Sequence, residues 1–152
     1  MDPFSVAVGI VSLLDVSFKV VNYLKHIEES ARKIEDDITV LISELNSLII
    51  VTNSIDDLWQ SNQDTILQES DRVKRLWEQI GGLLKDCQHT VGDLLELLVQ
   101  VIGKHGPGAS SLMDGFKKVL RKDSKDKEFE NVRNHMTSFL AGLQMLLTAL
   151  SV

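Results

Sequence analysis

Three stretches of this chain place apolar residues in alternating steps of three and four, and neither of its two prolines falls inside them. The first runs Ile34, Ile38, Leu41, Leu45, Leu48, Thr52, Ile55. The second runs Val73, Trp77, Ile80, Leu84, Cys87, Val91, Leu94, Leu98, Val101. The third runs Phe129, Val132, Met136, Phe139, Leu143, Leu146, Leu150. Such steps put every named side chain on one stripe of an α-helix, whereas a strand needs steps of two. Further apolar residues widen each stripe: Ile42 and Ile49, then Leu76, Leu83 and Leu95, then Leu140 and Leu147. A two-stranded coiled coil needs only a narrow seam, so the widened stripes predict a multi-helix bundle. The fold class expected is all-α: four long or medium helices plus one or two short ones, with a hydrophobic N-terminal helix. One domain is expected over residues 1–152, since 43% hydrophobic against 25% charged residues is the balance of a chain that buries a single core.

Local signals set the boundaries. Asp2-Pro3 reads as an N-cap followed by proline at the first helical position. The polar segment Ser54 to Thr65 predicts that the second helix frays near Trp59 to Ser61, and Ser70 or Asp71 can cap the third. Gly103-Lys104-His105-Gly106-Pro107-Gly108 is the strongest breaker in the chain. A short helix is expected after it, with Leu112, Phe116, Val119 and Leu120 on one face, and Asp123 or Ser124 can cap the last helix. Gly81-Gly82 inside the third helix costs about 1 kcal/mol per glycine relative to alanine, and marks either a close helix approach or a bend.

Residues 4 to 27 differ from the rest. Ser5, Ser12, Asp15, Lys19, Asn22 and His26 form one narrow polar strip, and Asp15 and Lys19 can pair across one turn. Nearly everything else is apolar: Phe4, Val6, Val8, Ile10, Val11, Leu13, Leu14, Val16, Phe18, Val20, Val21 and Leu24. A helix apolar around so much of its girth is either the buried centre of a bundle or membrane-active. A secretory signal would need a basic start, and the chain begins Met1-Asp2-Pro3. A permanent span is opposed by Asp15 and Lys19, each costing a few kcal/mol at a bilayer centre. Two compatible readings remain: a central core helix, and a helix stored in the bundle and released to membrane on activation. In either, Val11, Leu14, Phe18 and Val21 should be buried at rest.

Catalytic chemistry finds no foothold. His26, His89, His105 and His135 have no ligand spacing, the glycines of residues 103–108 do not follow the phosphate-cradling order, and Cys87 sits on an apolar stripe. No metal, no cofactor and no enzymatic activity is expected. The net charge of −6 argues against a nucleic-acid partner. Charge is unevenly spread: residues 28–60 carry ten charges with a net of −6, whereas Lys117, Lys118, Arg121, Lys122, Lys125 and Lys127 crowd one short stretch. That basic stretch is a solvated loop, a contact for anionic lipid, or a surface that pairs with the acidic second helix of a neighbouring copy.

The opening Met1-Asp2-Pro3-Phe4-Ser5-Val6-Ala7-Val8-Gly9-Ile10-Val11-Ser12-Leu13-Leu14 resembles the start of the HeLo-like domains found at the N-terminus of fungal NLR-type (STAND) proteins. Looser similarity continues through Glu44-Leu45-Asn46-Ser47-Leu48, Leu83-Leu84-Lys85-Asp86-Cys87 and Phe116-Lys117-Lys118-Val119-Leu120. The resemblance implies a helical bundle similar in plan to the four-helix executioner of animal necroptosis. It implies a cell-death module, cytoplasmic at rest, that self-associates when an upstream NLR or amyloid signalling domain activates it and then attacks the plasma membrane. The implied partners are further copies of itself and anionic lipids. The implied membrane-active residues are those of the first helix, from Phe4 to Phe18. The rival expectation is an adaptor bundle that docks another helical domain and never touches lipid. On the resemblance, the chain reads as one domain of a larger protein.

Overall fold

The computed structural model describes residues 3–30, 36–105 and 125–151. Four long helices account for nearly all of them, and the described residues contain no strand. We label them α1 (Pro3–Ser30), α2 (Asp36–Asn62), α3 (Asp71–His105) and α4 (Lys125–Leu150), with a 3₁₀ turn at Ile66–Gln68 between α2 and α3. The expected short helix around Leu112 to Leu120, and the caps Asp123 and Ser124, lie outside the described residues.

Where they are described, the predicted stripes form the core; Ile34 lies outside the described residues, the side chains of Ile38, Val101 and Phe129 are not described, and Val73 is half-buried. Leu41, Leu45, Leu48, Thr52 and Ile55 of α2 are all buried, as are Trp77, Ile80, Leu84, Cys87, Val91, Leu94 and Leu98 of α3. Val132, Met136 and Leu143 of α4 are buried as well, while Phe139, Leu146 and Leu150 are half-buried at its edge. Thr52 fits an apolar stripe because its hydroxyl donates to the Leu48 carbonyl at 2.7 Å, so no polar group is left over.

Packing order follows from which helices touch. α1 lies against α2 and α3, and α4 lies against the same two helices; the backbones of α1 and α4, and of α2 and α3, stay apart among the described residues, though Trp59 of α2 and Trp77 of α3 meet across the diagonal. The cross-section is therefore a square with α1 and α4 on one diagonal. Gly9 of α1 faces Leu84 of α3 and Val6 faces Gly81, so these two run parallel. Leu83 of α3 faces Gly142 of α4, and Arg72 donates to the Ala149 carbonyl at 3.5 Å, so that pair runs antiparallel. The molecule is two helical hairpins, α1–α2 and α3–α4, packed side by side.

Two boundaries differ from expectation. α2 holds to Asn62 because its last turns are pinned. Trp59 is buried edge-to-face on Trp77, with ring centroids 5.3 Å apart, and the Asn62 amide donates to the Leu58 carbonyl at 2.7 Å. α3 runs through Gly103 to His105 rather than stopping at the glycine. Ser70 is the cap at the other end, its hydroxyl accepting from the Val73 N–H at 3.3 Å.

Candidate functional site: the first helix and its two faces

α1 begins at Pro3, as its sequence predicts, and runs 28 residues. Its buried face is a three-four stripe like the others: Val6, Ile10, Leu13, Ser17, Val20 and Leu24, with Gly9, Val16 and Val21 beside it. Gly9 allows a close approach here. A Cβ at that position would lie 3.1 Å from the Leu84 Cβ, tighter than most packed side chains, so a methyl would push α1 and Leu84 apart by a few tenths of an ångström. The close approach expected at Gly81-Gly82 is thus made chiefly by Gly9; Gly81 takes ordinary contact from Val6, and Gly82 faces open space.

The other face corrects the expected burial. Val21 is buried and Leu14 half-buried, but Val11 is 68% exposed and Phe18 50% exposed; Val8, at 61%, joins them. The reason is position in the square. A corner helix meets two neighbours and buries about half its circumference, so α1 is not the central helix of the bundle. The polar strip does mark solvent: Ser5, Asp15, Lys19, Asn22 and His26 are exposed and Ser12 is half-buried. The solvent face simply extends past the strip to take in Val11 and Phe18. Asp15 and Lys19 pair at 3.1 Å, both well exposed, so the pair contributes little to stability.

Sequence reading missed Ser17, which is 1% exposed and whose hydroxyl has no hydrogen-bond partner. The signal was present: stepping from Val6 by four and three lands on it. A shallow groove of about 290 Å³, lined by Lys19, Asn22, Tyr23 and His26, lies toward the C-terminal end of the same helix.

By length and composition α1 could cross a membrane over Ser5–His26, 22 residues, and it is the one such helix among the described residues. Only a third of its most apolar window is buried within the bundle. Of the lipid-contact candidates, Lys117, Lys118, Arg121 and Lys122 lie outside the described residues; Lys125 and Lys127 fall in the first turn of α4, where side chains are not described. Phe4 falls in the first turn of α1 under the same condition. Among the described residues no group of His, Cys, Asp or Glu is placed to hold a metal ion. Cys87 is buried among α3's apolar neighbours, and burial pushes its thiol up to about 12, which keeps it protonated and unreactive.

Comparison with protein-family models, with curated proteins and with solved structures gives no match. The class the structure defines is a four-helix bundle with one apolar N-terminal helix.

Proposed function

We propose that this bundle is a cell-death execution domain: clustering of several copies frees α1 from α3, and the freed helices enter and permeabilise the plasma membrane. The observation that carries the reading is α1 itself, long and apolar enough to span a bilayer yet buried on one face only. A helix whose partners cover half its apolar surface loses less on leaving them than a central core helix would. In lipid, Val6, Ile10, Leu13 and Leu14 face the hydrocarbon, Val11 and Phe18 sit at the edge of that face, and Phe4 and Val8 fall within the polar strip. Ser5, Ser12, Asp15, Lys19 and Asn22 turn to one another or to a water-filled lumen, because an isolated charge facing lipid is too costly. The resemblance of residues 1–14 to HeLo-like domains supports the same reading and supplies its context, an upstream NLR or amyloid signalling domain that clusters the copies. Lys117, Lys118, Arg121, Lys122, Lys125 and Lys127 are proposed as contacts for anionic lipid.

The test locks α1 in place. A Cβ at Gly81 lies 3.7 Å from the Ser5 Oγ, so Ser5→Cys with Gly81→Cys can form a disulfide across the α1–α3 seam without removing a core side chain. Cys87, buried and protonated, does not compete. The locked chain, fused to an inducible clustering domain and added to dye-loaded anionic vesicles, should stay silent when oxidised and leak when reduced. Leakage from the oxidised form would remove α1 release from the mechanism. No leakage in either form, with the unsubstituted clustered chain equally silent, would favour the adaptor reading.

A further inference from the structure

We infer that the resting bundle, with α1 still seated on α3, docks on a membrane surface through the exposed strip of Val8, Val11 and Phe18. This deepens the proposed function by naming the first contact, and it can hold or fail separately from helix release.

The strip is linear. Its three side chains lie on one solvent-facing flank of a single helix, spread over about 15 Å at 1.5 Å per residue. None belongs to the buried core, and each keeps half or more of its surface in solvent while the bundle is intact. A stable protein–protein contact buries about 800 Å² on each partner, far more than three isolated side chains offer. A lipid surface has no such requirement, because it accepts shallow insertion of a few apolar side chains from an amphipathic helix.

The charges beside the strip suit the same occupant. The chain as a whole carries −6, yet the exposed face of Ser5–His26 carries Lys19 and Lys25 against one acid, Asp15, which Lys19 already pairs at 3.1 Å. Lysines at such positions lay their stems on the apolar surface and lift their ammonium groups to the headgroup level. The adjoining groove, which Lys19, Asn22, Tyr23 and His26 help to line, presents an almost wholly apolar wall, which suits contact with the acyl boundary of a lipid surface. The face therefore fits an interface with apolar depth and anionic acceptors, and α1 would lie flat on it before any release.

The experiment is sedimentation with phosphatidylserine–phosphatidylcholine vesicles of the full chain in its oxidised Ser5→Cys, Gly81→Cys form, with dye release read in the same samples. The locked protein should bind. Val11→Asp and Phe18→Asp should each weaken binding roughly tenfold or more, from the lost burial of one apolar side chain. Val11→Ser and Phe18→Ser should weaken it less, and Ile50→Asp, an equally exposed apolar position on α2, should leave it unchanged. Helicity confirms that each variant is folded. The inference is overturned if the locked protein stays in the supernatant, or if Ile50→Asp weakens binding as much as the strip variants. It is equally overturned if Val11→Asp and Phe18→Asp alter self-association and not vesicle binding, since the strip would then belong to a second copy. Binding without leakage after reduction supports docking and counts against the execution reading. Leakage from a reduced chain that never docked in its locked form does the reverse.

Discussion

Side chains that differ by a single group make separable predictions in this bundle. Ser17 carries a hydroxyl into the α1 stripe with nothing to bond to, and an unsatisfied buried polar group of this kind costs about 1–3 kcal/mol. Ser17→Ala removes that cost and adds helix propensity, so it should raise stability by about 1 kcal/mol in urea unfolding. A loss of similar size would mean that the hydroxyl has a partner. Thr52 is the contrast, since its hydroxyl is bonded at 2.7 Å; Thr52→Val forfeits one bond and should lie within about 1 kcal/mol of the parent. The glycines divide the same way. A methyl at Gly82 meets nothing within 4 Å, so Gly82→Ala should stabilise α3 by about 0.8–1 kcal/mol. The same change at Gly9 drives a carbon to 3.1 Å from Leu84 and should cancel or reverse that gain. Thermal melts of the two alanine variants side by side decide the matter, because both gain equal propensity and only one meets a neighbour.

At the scale of the helix, the period located three of the four cores and half of the fourth. In α3 the polar and apolar residues separate sharply enough that the stripe is nearly the boundary of burial, whereas α2 and α4 leave Ile50 and Met145 well exposed outside theirs. The step continued from Ile55 to Trp59, which the polar surroundings of residues 54–65 disguised as fraying. In α1 the apolar residues so outnumber the polar ones that the polar strip was legible and the extent of the solvent face was not. Burial there is set by how many neighbours the helix has, which no single helix encodes. The candidate site was legible to the same degree: the helix and its polar strip could be read from the residues, whereas the exposed Val8–Val11–Phe18 flank could not. An aspartate scan reads this directly. Ile10→Asp and Leu13→Asp bury an uncompensated charge in the core and should cost on the order of 4 kcal/mol or unfold the domain. Val11→Asp should cost about 0.5 kcal/mol or less, since its side chain already stands in water. Equal losses at positions 10 and 11 would mean that α1 is enclosed on both faces in solution.

For the whole molecule, the two hairpins meet along unequal seams. The α1–α3 seam is broad, apolar and notched by Gly9, whereas α2 and α4 meet more sparsely. There Arg133 donates to Glu44 at 3.1 Å, with both side chains about 70% shielded from solvent (31% and 26% exposed). The Arg133 Nε and the second Glu44 oxygen remain without partners, so the pair uses one of the two bonds that a guanidinium and a carboxylate can share. A half-used, half-buried pair repays little of its desolvation while both partners are present, yet leaves a stranded charge when either is removed. Glu44→Gln and Arg133→Met should therefore each lower stability by about 1–3 kcal/mol, and the double variant should lose less than their sum. A double-mutant cycle by urea unfolding measures the difference, expected to be about 1 kcal/mol or more and to persist at high salt because the pair is shielded. A coupling near zero would show that the side chains hold their places by packing alone. A substantial one makes this pair the polar tie between hairpins. Cutting it should then loosen the bundle along α2 and α4, seen as faster hydrogen exchange at Leu45 and Leu48 in the cut variants than in the parent.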